Sequence, residues 1–101
     1  MVGFLSRNGR KTLERHGLRT TDHFVGIEHQ DHLAESMSFI LSHLRDGVTE
    51  LMCHPGYDDD LAREYSSTPP HRDLELAALQ DPAVKDMLTA RGIQRISYND
   101  L

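Results

Sequence analysis

The sequence predicts an α/β protein built on parallel strands, and three observations predict it. The apolar run Val48–His54 follows an amphipathic helical segment across a short Asp46-Gly47 break. A strand of roughly Phe24–Ile27 precedes that helix, so strand, helix and strand succeed one another over short loops, as parallel neighbours require. The second strand then meets Pro55-Gly56. Proline lacks the N–H a ladder needs, and glycine adopts backbone angles closed to other residues. The run therefore stops with His54 at its C-terminal lip, where α/β folds place their chemistry.

Residues 2–16 read as the first helix, with Phe4, Leu5, Thr12 and Leu13 on one face, Asn8-Gly9 weakening the middle and Gly17 at the C′ position. Thr20-Thr21-Asp22 leads into the first strand. Asp31 is placed to cap the next helix and Glu35 lies in its first turn, where a negative charge suits the dipole. Leu33, Met37, Ile40, Leu41 and Leu44 recur at helical spacing and form its core face. Alternation along the second strand puts Glu50, Met52 and His54 on one face and Leu51 with Cys53 on the other.

Residues 55–71 read as a long polar connection holding Asp58-Asp59-Asp60 and Ser66-Ser67-Thr68-Pro69-Pro70. Two helical segments follow, divided at Asp81-Pro82, which reads as N-cap and N1 of the second. Leu74, Ala77 and Ala78 are expected inward from the first, and Val84, Met87 and Leu88 from the second. Gly92 ends that helix and Ile93–Tyr98 reads as a third strand. A three-stranded parallel layer has two open edges, and parallel sheets are seldom stable uncovered. The expectation is a part of something larger.

A chain of 101 residues holds one small domain. Its net charge of −5 argues against sequence-independent nucleic-acid binding, which depends on neutralising phosphates. Arg7, Arg10, Lys11 and Arg15 are locally basic, and their spacing reads as the solvated side of the first helix. No apolar stretch approaches the roughly 20 residues of a membrane span, and the amino terminus is too quickly polar for a signal peptide. With a lone Cys53 no intramolecular disulfide forms, so a cytoplasmic location is the expectation.

His54 leads the candidates for chemistry. Cys53 faces the other way, which argues against a nucleophile–base dyad, and Glu50 lies roughly 13 Å back along the strand. Arg72 opens a helix beside the acidic loop; it either reaches a carboxylate in the site or is a surface arginine. His29 and His32 invite a metal reading but straddle a helix start, and His23 has no matching partner in sequence. Asp58, Asp59 and Asp60 could assist a metal or sugar hydroxyls, though an acidic turn is more often simply solvated. No Cys-x-x-Cys, His-Glu-x-x-His, Gly-x-Ser-x-Gly or phosphate-loop pattern occurs.

The segments Thr20–Gly26, Gly47–Tyr57 (with Thr49-Glu50-Leu51-Met52-Cys53-His54-Pro55-Gly56), Arg72-Asp73-Leu74-Glu75-Leu76 and Ile96–Leu101 together resemble the C-terminal part of the YdjC-like carbohydrate deacetylases. The wording is most similar to the hopanoid-biosynthesis-associated HpnK branch; the family also includes chitooligosaccharide deacetylases. The resemblance implies a distorted (β/α) barrel of more than twice this length, of which this chain would be a partial barrel lacking the N-terminal half. It implies hydrolysis of the acetamide of an N-acetylated sugar or glycolipid, aided by a divalent metal (Mg or Zn). No residue here matches the family's metal-ligand motifs, so none is carried over. His54 carries over as the histidine of a late-strand His-Pro-Gly motif bordering the active site, with a general-acid role, and Arg72 as the arginine of the following helix, with an orienting role. A C-terminal segment separated by truncation, gene damage or a misplaced start would be inactive alone. A non-enzymatic alternative is a fragment that self-associates through its open sheet edges or binds a partner completing the barrel. A third is an independent metal-binding module using His23, His29, His32 and His54.

Overall fold

The computed structural model describes residues 2–26, 33–57, 59–65 and 72–101. Helix α1 (Val2–Arg15) leads to β1 (His23–Val25), α2 (Leu33–Ser42) and β2 (Thr49–Leu51). Then come α3 (Asp60–Tyr65), α4 (Arg72–Gln80), α5 (Pro82–Ala90) and a 3₁₀ turn, Tyr98–Asp100. The two strands pair in parallel, with His23 opposite Thr49, Phe24 opposite Glu50 and Val25 opposite Leu51. Met52 N–H extends the ladder by donating to the Val25 carbonyl at 2.8 Å. The strand–helix–strand unit is therefore formed, with β1 ending one residue before Gly26; Ile27, Asp31 and the His29–His32 run lie outside the described residues.

Local chemistry accounts for the element ends. Gly17 and Gly92 close α1 and α5 with positive φ, as predicted. Asp81 caps α5 by accepting the Ala83 N–H at 2.9 Å, with Pro82 in the first turn. The β2 entry depends on Asp22, whose Oδ2 accepts the Val48 N–H at 2.8 Å while Oδ1 accepts from Arg10 Nη2 at 3.0 Å. Gly47 turns beside it at φ 109°, and a Cβ there would fall 2.7 Å from Asp22 Oδ2. Both the angle and the space demand glycine. Arg10 is thus one member of the basic cluster with a structural task.

The Val48 N–H and then Arg10 hold the Asp22 carboxyl below the usual carboxylate range. Its folded pKa lies under its unfolded value of about 3.9. The stabilisation is therefore complete above about pH 4 and is lost as pH falls through the folded value. Urea midpoints taken from neutral pH downward should drop below about pH 4, and Asp22→Asn should flatten that drop. Asp100, lowered by the Ser97 N–H, leaves a smaller residual slope. Identical slopes in the two proteins would refute the assignment.

The core sits between the sheet and α2, α4 and α5. Met37, Ile40 and Leu41 of α2 are buried, on the face the spacing predicts. Val25, Leu44, Leu51, Cys53, Ala78, Val84, Met87 and Leu88 pack around them. The other face of the sheet is open, and Phe24 there is 48% exposed.

Four expectations are corrected. The Ile93–Tyr98 segment is not a third strand: the backbone bonds of this tail are local, from Ile93 to Leu88, Asp100 to Ser97 and Leu101 to Tyr98. A strand exists only where a neighbour takes up its ladder groups, so the sheet of the described residues has two strands and not three. The 55–71 connection contains α3, because Asp60 starts a run of helix formers, Leu-Ala-Arg-Glu. Helix α4 is rotated from its apolar reading: Leu74 is 49% exposed and Ala77 is exposed, while Glu75 is 4% exposed. Gly56 is absent from the positive-φ glycines, so its role is not unusual backbone angles.

Candidate active site

Beyond Leu51 the chain passes through Met52 and Cys53 to His54-Pro55-Gly56. Cys53 packs on the core side like Leu51, as an extended chain requires. Its thiol is pushed up by burial and then by the nearby Glu75 carboxylate. A thiol raised in this way stays protonated near neutrality and is a poor nucleophile. Cys53 is therefore a packing residue, and His54 has no thiolate to activate.

The first turn of α4 lies against this segment. The His54 backbone N–H donates to Glu75 Oε1 at 3.3 Å, and the Gly56 N–H donates to the Arg72 carbonyl at 3.1 Å. A Cβ on Gly56 would come within 2.9 Å of Arg72 Nε and Nη2, so the missing side chain is what lets the guanidinium lie on the backbone here. His54, half-buried, and Arg72, also half-buried, thus come together on one lip, formed by the end of β2 and the start of α4.

Glu75 is the residue that pattern reading missed. A helix segment reading Leu-Glu-Leu-Ala-Ala-Leu invites the leucines inward, yet the glutamate is the buried member. The available signal was a single carboxylate three residues after Arg72, which shares a helix face with it.

His23 Nε2 donates to the Asp46 carbonyl at 3.0 Å, a turn-stabilising bond. His29, His32 and Asp58 lie outside the described residues, and Asp60 opens α3. Among the described residues no three His, Cys, Asp or Glu side chains gather where they could hold a metal ion. These residues do not fit the divalent metal that the resemblance implies. Glu50, on the open sheet face, accepts the Tyr98 hydroxyl, which ties the tail to β2. A separate open groove of about 570 Å³ lies between α5 and the tail, lined by Lys85, Leu88, Thr89, Ile93 and Arg95 among others; it includes neither His54 nor Arg72. No described helix is long and apolar enough to cross a membrane.

A parallel strand followed three residues on by a loop histidine, backed by the start of a later helix, defines a segment of an α/β fold with polar residues beyond the carboxyl end of the sheet. The YdjC-like protein family model matches residues 1–90, and the chain belongs to that family. It is 34% identical over 86 residues to a carbohydrate deacetylase of Thermoanaerobacter pseudethanolicus, covering 84% of this chain and 34% of the relative. It is 35% identical over 92 residues to a carbohydrate deacetylase of Geobacillus stearothermophilus, covering 89% of this chain and 38% of the relative. A third carbohydrate deacetylase, from Vibrio parahaemolyticus, is 33% identical over 91 residues, covering 85% and 36% respectively. The chain therefore spans little more than a third of the length of these curated relatives. No solved structure matches it significantly.

Proposed function

We propose that this chain is the C-terminal segment of a metal-dependent carbohydrate N-deacetylase, of the hopanoid-associated branch, acting in the cytoplasm on the acetamide of an N-acetylated sugar or glycolipid. The observation that carries the reading is the position of His54 on the β2 lip, in a chain belonging to this family. Attack on the acetamide carbonyl gives a tetrahedral intermediate whose nitrogen must gain a proton before the C–N bond breaks. Histidine is the side-chain type that changes charge near neutral pH, which suits it to donate that proton. His54 takes this general-acid role, and Arg72 orients groups at the same lip. The divalent metal would be held by residues of the remaining two-thirds of a full-length member, so the chain alone is inactive.

Replacing the matched segment of the Geobacillus stearothermophilus relative with this chain tests the proposal. The chimera should release acetate from N-acetylglucosamine oligomers, and the isolated chain should not. A folded chimera with no activity on N-acetylated sugars or glycolipids, or acetate release by the isolated chain, would refute it.

A second reading is favoured by one observation: Phe24, Leu61 and Leu74 are all exposed, at 48%, 66% and 49%, while among the described residues the buried apolar core is three residues of α2. Such a chain would act by self-association through its open sheet edges, or by binding a polypeptide that completes the barrel. Sedimenting the isolated chain over a range of concentrations, as the control for the same chimera, separates the two. A strict monomer that gains no mass with added N-terminal polypeptide would discard this second reading.

A further inference from the structure

We infer that Glu75 is a positioning residue for His54, and that it works with Arg72 and Gly56 as a two-point clamp that fixes the backbone on either side of Pro55. The inference rests on the reading of His54 given above, which it deepens.

The burial of Glu75 is the starting point. At 4% exposure it is buried like the apolar core residues, on a helix where the adjacent Leu74 is 49% exposed. A carboxylate taken out of water is costly unless hydrogen bonds replace its hydration. Leucine at this position would suit the adjacent core better. What the carboxylate provides is an acceptor for the His54 N–H, at 3.3 Å. Among the described residues the last ladder bond is from Met52 to Val25.

The second point of the clamp lies two residues on. The Gly56 N–H is held by the Arg72 carbonyl at 3.1 Å, and the bare Cα of Gly56 admits the Arg72 guanidinium. Between the two anchors, Pro55 has its φ locked by its ring. Three consecutive residues are thus constrained: His54 by Glu75, Pro55 by itself and Gly56 by Arg72. Fixing the backbone of His54 fixes the direction of its Cα–Cβ bond, and through it the reach of the imidazole. A general acid displaced by about 1 Å can lose about a hundredfold in rate, so a buried acceptor that holds this backbone has a direct catalytic consequence.

Hydrogen exchange of the full 101-residue chain, followed amide by amide in solution, tests the clamp. In Glu75→Leu the His54 amide should exchange roughly tenfold faster or more, the effect of losing one charge-assisted bond, while the Met52 amide in the ladder is unchanged. Glu75→Gln, which keeps an acceptor oxygen, should restore most of the protection. Gly56→Ala, which crowds the guanidinium, should release the Gly56 amide without touching Met52. In the chimera, Glu75→Leu should lower kcat with little change in KM, and Glu75→Gln should recover it. Unchanged His54 exchange in Glu75→Leu would overturn the clamp and leave the deacetylase reading standing. If Glu75→Leu unfolds, so that Met52 is also released, Glu75→Gln and Gly56→Ala decide: native-like exchange at both His54 and Gly56 in Gly56→Ala, or no protection of His54 in Glu75→Gln, overturns it. Faster His54 exchange in a protein whose chimera has no activity would retain the clamp and remove the deacetylase reading.

Discussion

His54→Ala in the chimera should cut turnover by about 10²- to 10⁴-fold, the usual contribution of a positioned general acid. Because the lost group acts on the leaving nitrogen, the fall should appear in kcat, with KM nearly constant. Substrates whose leaving group needs no protonation separate this role from a structural one. An activated ester of acetate should lose far less than an acetamide, since its leaving oxygen departs without help. Equal losses on ester and amide would place His54 in binding or folding, and unimpaired amide turnover would remove it from the mechanism. Metal content of the chimera should be unaffected, because among the described residues none of the gathered acidic, histidine or cysteine side chains forms a metal site.

Ile40→Ala should be the most damaging packing change. Ile40 is 5% exposed and clusters with Met37 and Leu41, the buried hydrophobics among the described residues. Truncating a buried isoleucine to alanine costs about 2–5 kcal/mol, against a total stability of about 5–15 kcal/mol for an ordinary domain. A small core leaves less to spare, so urea unfolding should shift to a much lower midpoint or lose its cooperative transition. Leu74→Ala is the informative contrast. At 49% exposure Leu74 should change stability by no more than about 0.5 kcal/mol, although the apolar pattern of its helix points it inward. If Leu74→Ala were as damaging as Ile40→Ala, the rotation of α4 described here would be wrong.

That contrast also shows which parts of the fold could be read from the sequence. The α2 core face was legible because five apolar residues recur at one spacing with no polar rival on that face. Asp81-Pro82 was legible because capping is local chemistry, complete within three residues. The α4 phase was not, because its rotation is decided by a long-range bond: Glu75 answers a His54 amide 21 positions earlier. The third strand failed for a related reason. Ile93–Tyr98 has strand composition, but a strand needs a neighbour, and here the tail is secured by the Ser97–Asp100 capping box and the Tyr98–Glu50 bond instead. At the lip, the Pro-Gly stop and the start of the following helix single out His54 and Arg72, which the fold sets near one another. Pattern reading assigns Gly56 to backbone freedom, whereas the position is constrained by the bulk of Arg72. Such a need for clearance leaves no mark in a single sequence.

Both anchors of the His54–Gly56 segment ride on the opening turn of α4, so the lip is tied to that helix at two points. Leu74 and Leu79 of the same helix are 49% and 39% exposed. On the proposed reading of His54, any shift of that turn would shift the backbone that aims the donor.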